Sequence, residues 1–284
     1  MFAVIGTIPH DDFPLTAAAA SKRDGFLQVR DQSIDINRGT PALIAAAEMA
    51  CRCFNEPAPF VYLIGDTGRG AGSRELYRHL SEDLPDRRFT GLTFHYIQPD
   101  VDWHNKILFA VDRMEARPVL VADAGFMYAA KMSGRASDYD VFTPDVGELA
   151  FLADDTAPHP FYTRGFIFHD EKRVPELITA AYAHDNAARY LLVKGETDIL
   201  ANAGGVVDFV SEPMVPSLEA IGGTGDVITG LVAAFTGMGK DMKAACLSAC
   251  RISRLAGKMA NPHPGTQVIE IIERIPEVLK RSGF

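Results

Sequence analysis

The chain has 284 residues, 47% of them hydrophobic and 23% charged, the composition of an ordinary globular protein long enough for one large α/β domain or two smaller ones. A formal net charge of −9 argues against a nucleic-acid or anionic-membrane surface, yet it is compatible with a local cradle for a phosphorylated substrate. No run is apolar for long enough to span a membrane and no charged-then-apolar leader opens the sequence, so a cytoplasmic location is expected. The four cysteines, at 51, 53, 246 and 250, match neither a disulfide framework nor a zinc knuckle and read as small buried thiols.

Residues 2–6 form a short apolar run that reads as a buried strand. Residues 10–38 are polar and irregular, without a clear period. Pro41 then opens a small-residue helix through Leu43, Ile44, Ala47 and Cys51, with Thr40 as its expected cap. The alanine-rich part of this helix, 42–50, suits either a homo-oligomer contact or close internal packing. Residues 60–65 read as a second buried strand, followed by a glycine-rich loop at 66–73 and a helix over 74–84. The loop's glycines fall at 68, 70 and 72, with neither the Lys-Ser/Thr of a P-loop nor the dinucleotide spacing. A ligand-facing loop and a plain flexible connection are both open readings.

A strand over 92–97, a helix over 101–117 and a strand over 119–123 follow. Ligands gather at the carboxyl ends of strands in open parallel sheets, which makes Asp123 a candidate, although a strand-end turn accounts for it equally well. Pro144 stops a strand over 139–144, and Asp145-Val-Gly-Glu148 comes next. That quartet reads as a capping box, and its two carboxylates also suit magnesium, held directly or through water. His159 and His169 lie in a stretch without period, most simply loop histidines. A helix over 176–188 leads to a strand over 190–195 that carries Lys194. Residues 199–201 and 206–210 form a hairpin, and helices are expected over 224–238, 242–259 and 266–280. No repeat or linker interrupts the pattern, so residues 1–284 are expected to form one domain.

The most informative stretch is 219–235. Glycines at 222, 223 and 225 break regular structure, and Ile228, Leu231, Val232 and Phe235 then mark one helix face. The first N–H groups of that helix lack intrahelical acceptors, and with the helix dipole they make an anion site. Asp226 falls in the same first turn. Phosphoryl transfer needs this pairing of donors for the transferred group with a base for the accepting hydroxyl.

Thr143-Pro-Asp-Val-Gly-Glu148, Val193-Lys-Gly195 and Gly222-Gly-Thr-Gly-Asp226, in that order, resemble the ribokinase-like superfamily. Val119–Asp123 and Gly39-Thr-Pro-Ala-Leu-Ile-Ala45 bring the chain nearest to the nucleotide-dependent NAD(P)H-hydrate dehydratases, carbohydrate kinase-related enzymes that repair hydrated nicotinamide dinucleotides. The resemblance implies a three-layer α/β/α sandwich with a central, mostly parallel sheet. It implies Asp226 as catalytic base, Gly222, Gly223, Thr224 and Gly225 as anion hole, and Lys194, Gly195 and Thr197 at the nucleotide. Asp123, Gly39 and Gly70 would meet the substrate, while Asp145 and Glu148 would organise magnesium. ADP or ATP would phosphorylate the hydroxyl of hydrated NADH or NADPH, and phosphate would then leave.

The chain departs from the dehydratases in two places. They carry His-Pro-Gly-Glu where Asp145-Val-Gly-Glu148 stands here, and the Gly-Asn segment expected before Gly222 is missing. Asp-x-x-Glu is close to the Asn-x-x-Glu of the superfamily's kinases. No fused epimerase domain is expected at either end. A kinase of a small hydroxylated metabolite, or a nucleotide-binding relative without turnover, therefore stands beside the dehydratase as an alternative.

Overall fold

The computed structural model describes residues 1–159 and 171–282; His169 lies outside them. Along the chain run β1 (Ala3–Ile8), β2 (Thr16–Arg23), β3 (Phe26–Val29), β4 (Gln32–Asp35), α1 (Gly39–Cys53), β5 (Phe60–Gly65), α2 (Ala71–Asp83), β6 (Gly91–His95), α3 (Val101–Asp112), β7 (Val119–Ala122), α4 (Gly125–Met132), β8 (Val141–Phe142), α5 (Val146–Ala153), α6 (Val174–Ala183), β9 (Tyr190–Val193), β10 (Asp198–Asn202), β11 (Gly205–Val210), α7 (Thr224–Gly237), α8 (Met242–Ala260), α9 (Val268–Ile272) and α10 (Ile275–Ser282).

The strands form one sheet in the order β11-β10-β9-β8-β7-β6-β1-β5-β2-β3-β4. From β9 to β5 every neighbouring pair is parallel. The β10–β11 hairpin extends one side and the β2–β4 meander the other, all antiparallel. Parallel strands covered on both faces need apolar side chains in both directions, which explains their unbroken apolar runs. Val4, Val61, Leu63, Val121 and Leu192 point into the core shared with α1, α7 and α8. Their chain neighbours Ile5, Tyr62, Ile64, Leu120 and Leu191 point into the opposite core, with side chains of α2 to α6. Each large aliphatic buried this way contributes about 1.5–3 kcal/mol. The result is the expected three-layer α/β/α sandwich around a mostly parallel sheet.

The small residues of α1 have an internal cause. Residues 39 to 51 of the helix are all buried, and α1 lies so close to α7 that a Cβ on Gly230 would stand 2.1 Å from the Leu43 carbonyl oxygen. The alanines therefore serve close packing within the chain.

Several boundaries and one whole region differ from expectation. Residues 10–38, read as irregular, contain β2, β3 and β4. Thr40 is not the cap of α1: Arg38 occupies that position without a side-chain hydrogen bond, and Thr40 turns inward. A helix at Gly125–Met132 was not anticipated. The single helix expected over 266–280 is two, α9 and α10, because Pro276 has no N–H and its ring clashes with a preceding helical turn. Among the described residues no helix is long and apolar enough to cross a membrane.

Candidate functional site

The carboxyl ends of β6, β7, β8 and β9 open toward the first turn of α7, where a cavity of about 630 Å³ lies, the size of a small-molecule pocket. Each strand delivers a polar residue where its apolar run stops: His95 ends β6, Asp123 follows β7, Asp145 follows β8 and Lys194 follows β9. The Asp145–Lys194 bridge prolongs the parallel pairing into the site. All four residues line the cavity with Asp226.

Gly223 caps α7 in the left-handed region, φ 100°, a conformation that favours glycine. The cap itself offers no side-chain acceptor to the helix's first turn, which leaves those donors facing the cavity for an anion. Asp226, in that turn, has both oxygens held. Oδ2 accepts from the Gly39 N–H at 2.6 Å, and Oδ1 lies 3.1 Å from His95 Nε2. Burial pushes the Asp226 carboxyl up, but the hydrogen bond from His95, then the Lys194 charge and the Gly39 N–H, outweigh it and leave it below the usual aspartate value.

Beside this pair sits a second. Lys194 Nζ donates to Asp123 Oδ2 at 2.8 Å, and Thr229, one turn beyond Asp226 on α7, donates to the same oxygen at 2.6 Å. Burial alone would lower the Lys194 ammonium; the charges of Asp123 and Glu148 more than reverse this and raise it. His95, Asp123 and Asp226 offer ligand atoms within 4.8 Å of one another. The Lys194 ammonium on Asp123 already supplies the positive charge there, which disfavours a cation at that spot.

Asp145 and Glu148 form the anticipated capping box: Asp145 Oδ1 accepts from the Glu148 N–H at 2.7 Å, and Glu148 Oε2 from the Asp145 N–H at 2.9 Å. Tyr128 donates to the other Glu148 oxygen at 3.0 Å. Burial, then the charges of Asp145 and Asp123, push the Glu148 carboxyl up to about 8. Acidic side chains also outnumber basic ones along the cavity wall. A donor set of hard oxygens short of positive charge fits a magnesium ion, held mainly through its waters.

Among the other residues singled out, Gly223, Thr224, Gly225 and Gly195 line the cavity, while Gly222 stands beside them without lining it. Gly39 reaches the site through its N–H on Asp226. Thr197 is not on the wall. Its loop is held by Arg254, itself on the cavity wall, whose guanidinium donates to Asp198 at 2.7 Å and to the carbonyls of Gly195, Glu196 and Ser211.

Gly70 is not brought to the cavity either. The glycine-rich loop wraps an anion of the chain's own, because the N–H groups of Gly68, Gly70 and Ser73 and the Ser73 hydroxyl all donate to the Asp66 carboxylate. The sequence reading passed over His95, Arg38 and Tyr96, all on the cavity wall. For His95 a signal existed, since it stands at the end of an apolar strand as Asp123 does.

The model of the NAD(P)H-hydrate dehydratase family matches residues 99–277. An uncharacterised protein of Methanocaldococcus jannaschii is 38% identical over 241 residues, covering 84% of this chain and 99% of that one. A bifunctional NAD(P)H-hydrate repair enzyme of Pyrobaculum aerophilum is 30% identical over 174 residues; the match spans 61% of this chain and 32% of that longer protein. A solved ribokinase-like superfamily protein of Enterococcus faecalis superposes with a TM-score of 0.60 at 15% identity, covering 99% of this chain and 86% of that one, which identifies the fold as ribokinase-like. With a family match extending over more than half of its length, the chain belongs to the NAD(P)H-hydrate dehydratase family.

Proposed function

We propose that the protein is a nucleotide-dependent NAD(P)H-hydrate dehydratase, using ATP or ADP to phosphorylate the hydroxyl of hydrated NADH or NADPH before phosphate is eliminated. The observation that carries this reading is Asp226, a half-buried carboxylate in the first turn of a helix whose cap lacks a side chain, facing a cavity at the strand ends, in a chain of that family. Asp226 takes the hydroxyl proton as the oxygen attacks phosphorus. The first-turn N–H groups of Thr224 and Gly225 receive the oxygens of the transferred group, and Gly222 and Gly223 bend the chain so that these donors face it. Lys194 and Gly195 border the nucleotide, with the Lys194 ammonium as a point charge already oriented by Asp123. Asp145 and Glu148 would hold magnesium, which when bound supplies positive charge against the donor's phosphates.

One feature favours a second reading. Asp145-Val-Gly-Glu148 is nearer to the kinases' Asn-x-x-Glu, and a kinase would stop at the phosphorylated product. Purified hydrate with ATP or ADP separates the two: recovery of reduced-nicotinamide absorbance is expected, and no recovery with either nucleotide refutes the dehydratase. Asp226→Asn is expected to reduce turnover by about 10²–10⁴-fold while nucleotide binding persists; undiminished turnover would remove Asp226 from the chemistry. We also take residues 1–284 as one folding unit, because a single sheet joins β4 to β11. The free cysteines, three of them buried, suit the reducing cytoplasm.

A further inference from the structure

The His95 ring is only 1% exposed and sits between two carboxylates and a hydroxyl. Nε2 lies 3.1 Å from Asp226 Oδ1 and 3.9 Å from Asp123 Oδ2. On its far side Nδ1 lies 3.0 Å from Thr40 Oγ1, and the Tyr96 ring packs edge-on at 4.3 Å between centroids. Thr40 is itself 1% exposed. It faces Gly6 in the middle of β1, where a Cβ would stand 2.8 Å from Thr40 Oγ1 and 2.7 Å from its methyl carbon. The strand thus leaves room at one position for the hydroxyl that meets His95.

A neutral imidazole has one N–H and one bare nitrogen, and the partner of one decides the state of the other. A carboxylate can only accept, so the nitrogen facing Asp226 must carry the proton. Thr40 can donate to the bare nitrogen on the other side. We infer that Thr40 anchors the His95 ring and that His95, through its Nε2–H, positions the Asp226 carboxylate for proton abstraction. His95 and the Gly39 N–H each hold one oxygen of Asp226, fixing the plane of the carboxylate and turning its remaining lone pairs to the cavity. Without the Thr40 hydroxyl, Nδ1 is left buried without a partner, and the ring is no longer held in the plane that aims Nε2–H at Asp226, so the carboxylate loses its fixed orientation.

The inference rests on Asp226 being the base of the proposed reaction, and one of its two readouts needs no activity. Nitrogen-15 NMR of histidine-labelled full-length protein at mildly alkaline pH, with His95 assigned through His95→Gln, is expected to show the Nε2–H tautomer in the wild type and in Thr40→Ser. In Thr40→Val, which keeps the shape and removes the hydroxyl, Nε2–H is expected to persist while the Nδ1 resonance moves toward that of an imidazole nitrogen without a hydrogen bond; an unmoved Nδ1 resonance overturns the anchor. In steady-state assays of hydrate turnover, Thr40→Val should lower kcat tenfold or more, as expected when the orienting partner of a reactive group is lost. KM for nucleotide should stay within about twofold, and Thr40→Ser should restore kcat. An Nδ1–H tautomer in the wild type, an unchanged kcat in Thr40→Val, or failure of serine to restore it overturns the inference. A wild type that turns over no hydrate refutes the functional reading instead, and the nitrogen-15 measurement still decides the role of Thr40.

Discussion

Gly230→Ala tests the seam on which the site is built. Alanine is favoured over glycine inside a helix by about 1 kcal/mol, and Gly230 sits within α7, so propensity alone predicts stabilisation. Against this, the new methyl group would stand 2.1 Å from the Leu43 carbonyl oxygen and 2.9 Å from its carbon, more than an ångström short of ordinary contact with the oxygen. Both sides of the contact are backbone, so no rotamer change relieves it. Overpacking of this kind costs about 3 kcal/mol, the upper end of its usual range, which leaves a net loss of about 2 kcal/mol. For a chain of this size that corresponds to about 3 °C in Tm. Moving α1 from α7 also lengthens the 2.6 Å bond between Gly39 and Asp226, so turnover should fall at temperatures where the variant remains folded. Thermal melts and steady-state rates well below Tm measure the two effects. A variant as stable as the wild type or more so would show that propensity outweighs packing, and the argument for a tight α1–α7 seam would fail.

Lys194→Met leaves Asp123, with a side chain 3% exposed, charged and without its ammonium; about 3–5 kcal/mol of stability should be lost. Urea titration of the double variant Asp123→Asn/Lys194→Met should recover most of it, and a single variant losing under about 1 kcal/mol contradicts a buried pair. Glu148 is raised from 4.5 to about 8 in the fold, so the unfolded chain releases this proton first and the carboxyl weakens the fold progressively as pH rises through that window. Glu148→Gln keeps the capping-box acceptor and should gain Tm on the wild type between those pH values, with added magnesium narrowing the gap; parallel Tm–pH curves refute the shifted carboxyl.

The central sheet was legible because strands buried on both faces have few polar interruptions. Residues 60–65 and 119–123 could hardly be read otherwise. The meander at 16–35 was not, because β2 is Thr-Ala-Ala-Ala-Ala-Ser-Lys-Arg, with alanines in place of β-branched residues, and β3 and β4 have four residues each. Antiparallel pairing beside β5, rather than local preference, holds that region. In the site, Asp226 and its glycines stood out because a helix start has a local signature. Gly70 misled for the same reason: a loop rich in donors looks ready for a ligand, and only the fold reveals that Asp66 takes that place. The pairing of His95 with Thr40 has no local signature, since the two meet across 55 residues of sequence.

Gly39 and Asp226 hold each other across 187 positions of the chain, and most of the residues lining the cavity lie between them. Loop closure over such a distance is entropically costly and comes after local structure has formed. Partly folded chains would therefore carry strands and helices but no assembled proton acceptor beside a phosphate cradle. In refolding experiments, turnover should return with the slowest structural phase and never ahead of it. Under the proposed nucleotide-dependent reaction, a site built this way leaves no half-made form able to waste a phosphoryl donor on water while the chain is still emerging or being repaired.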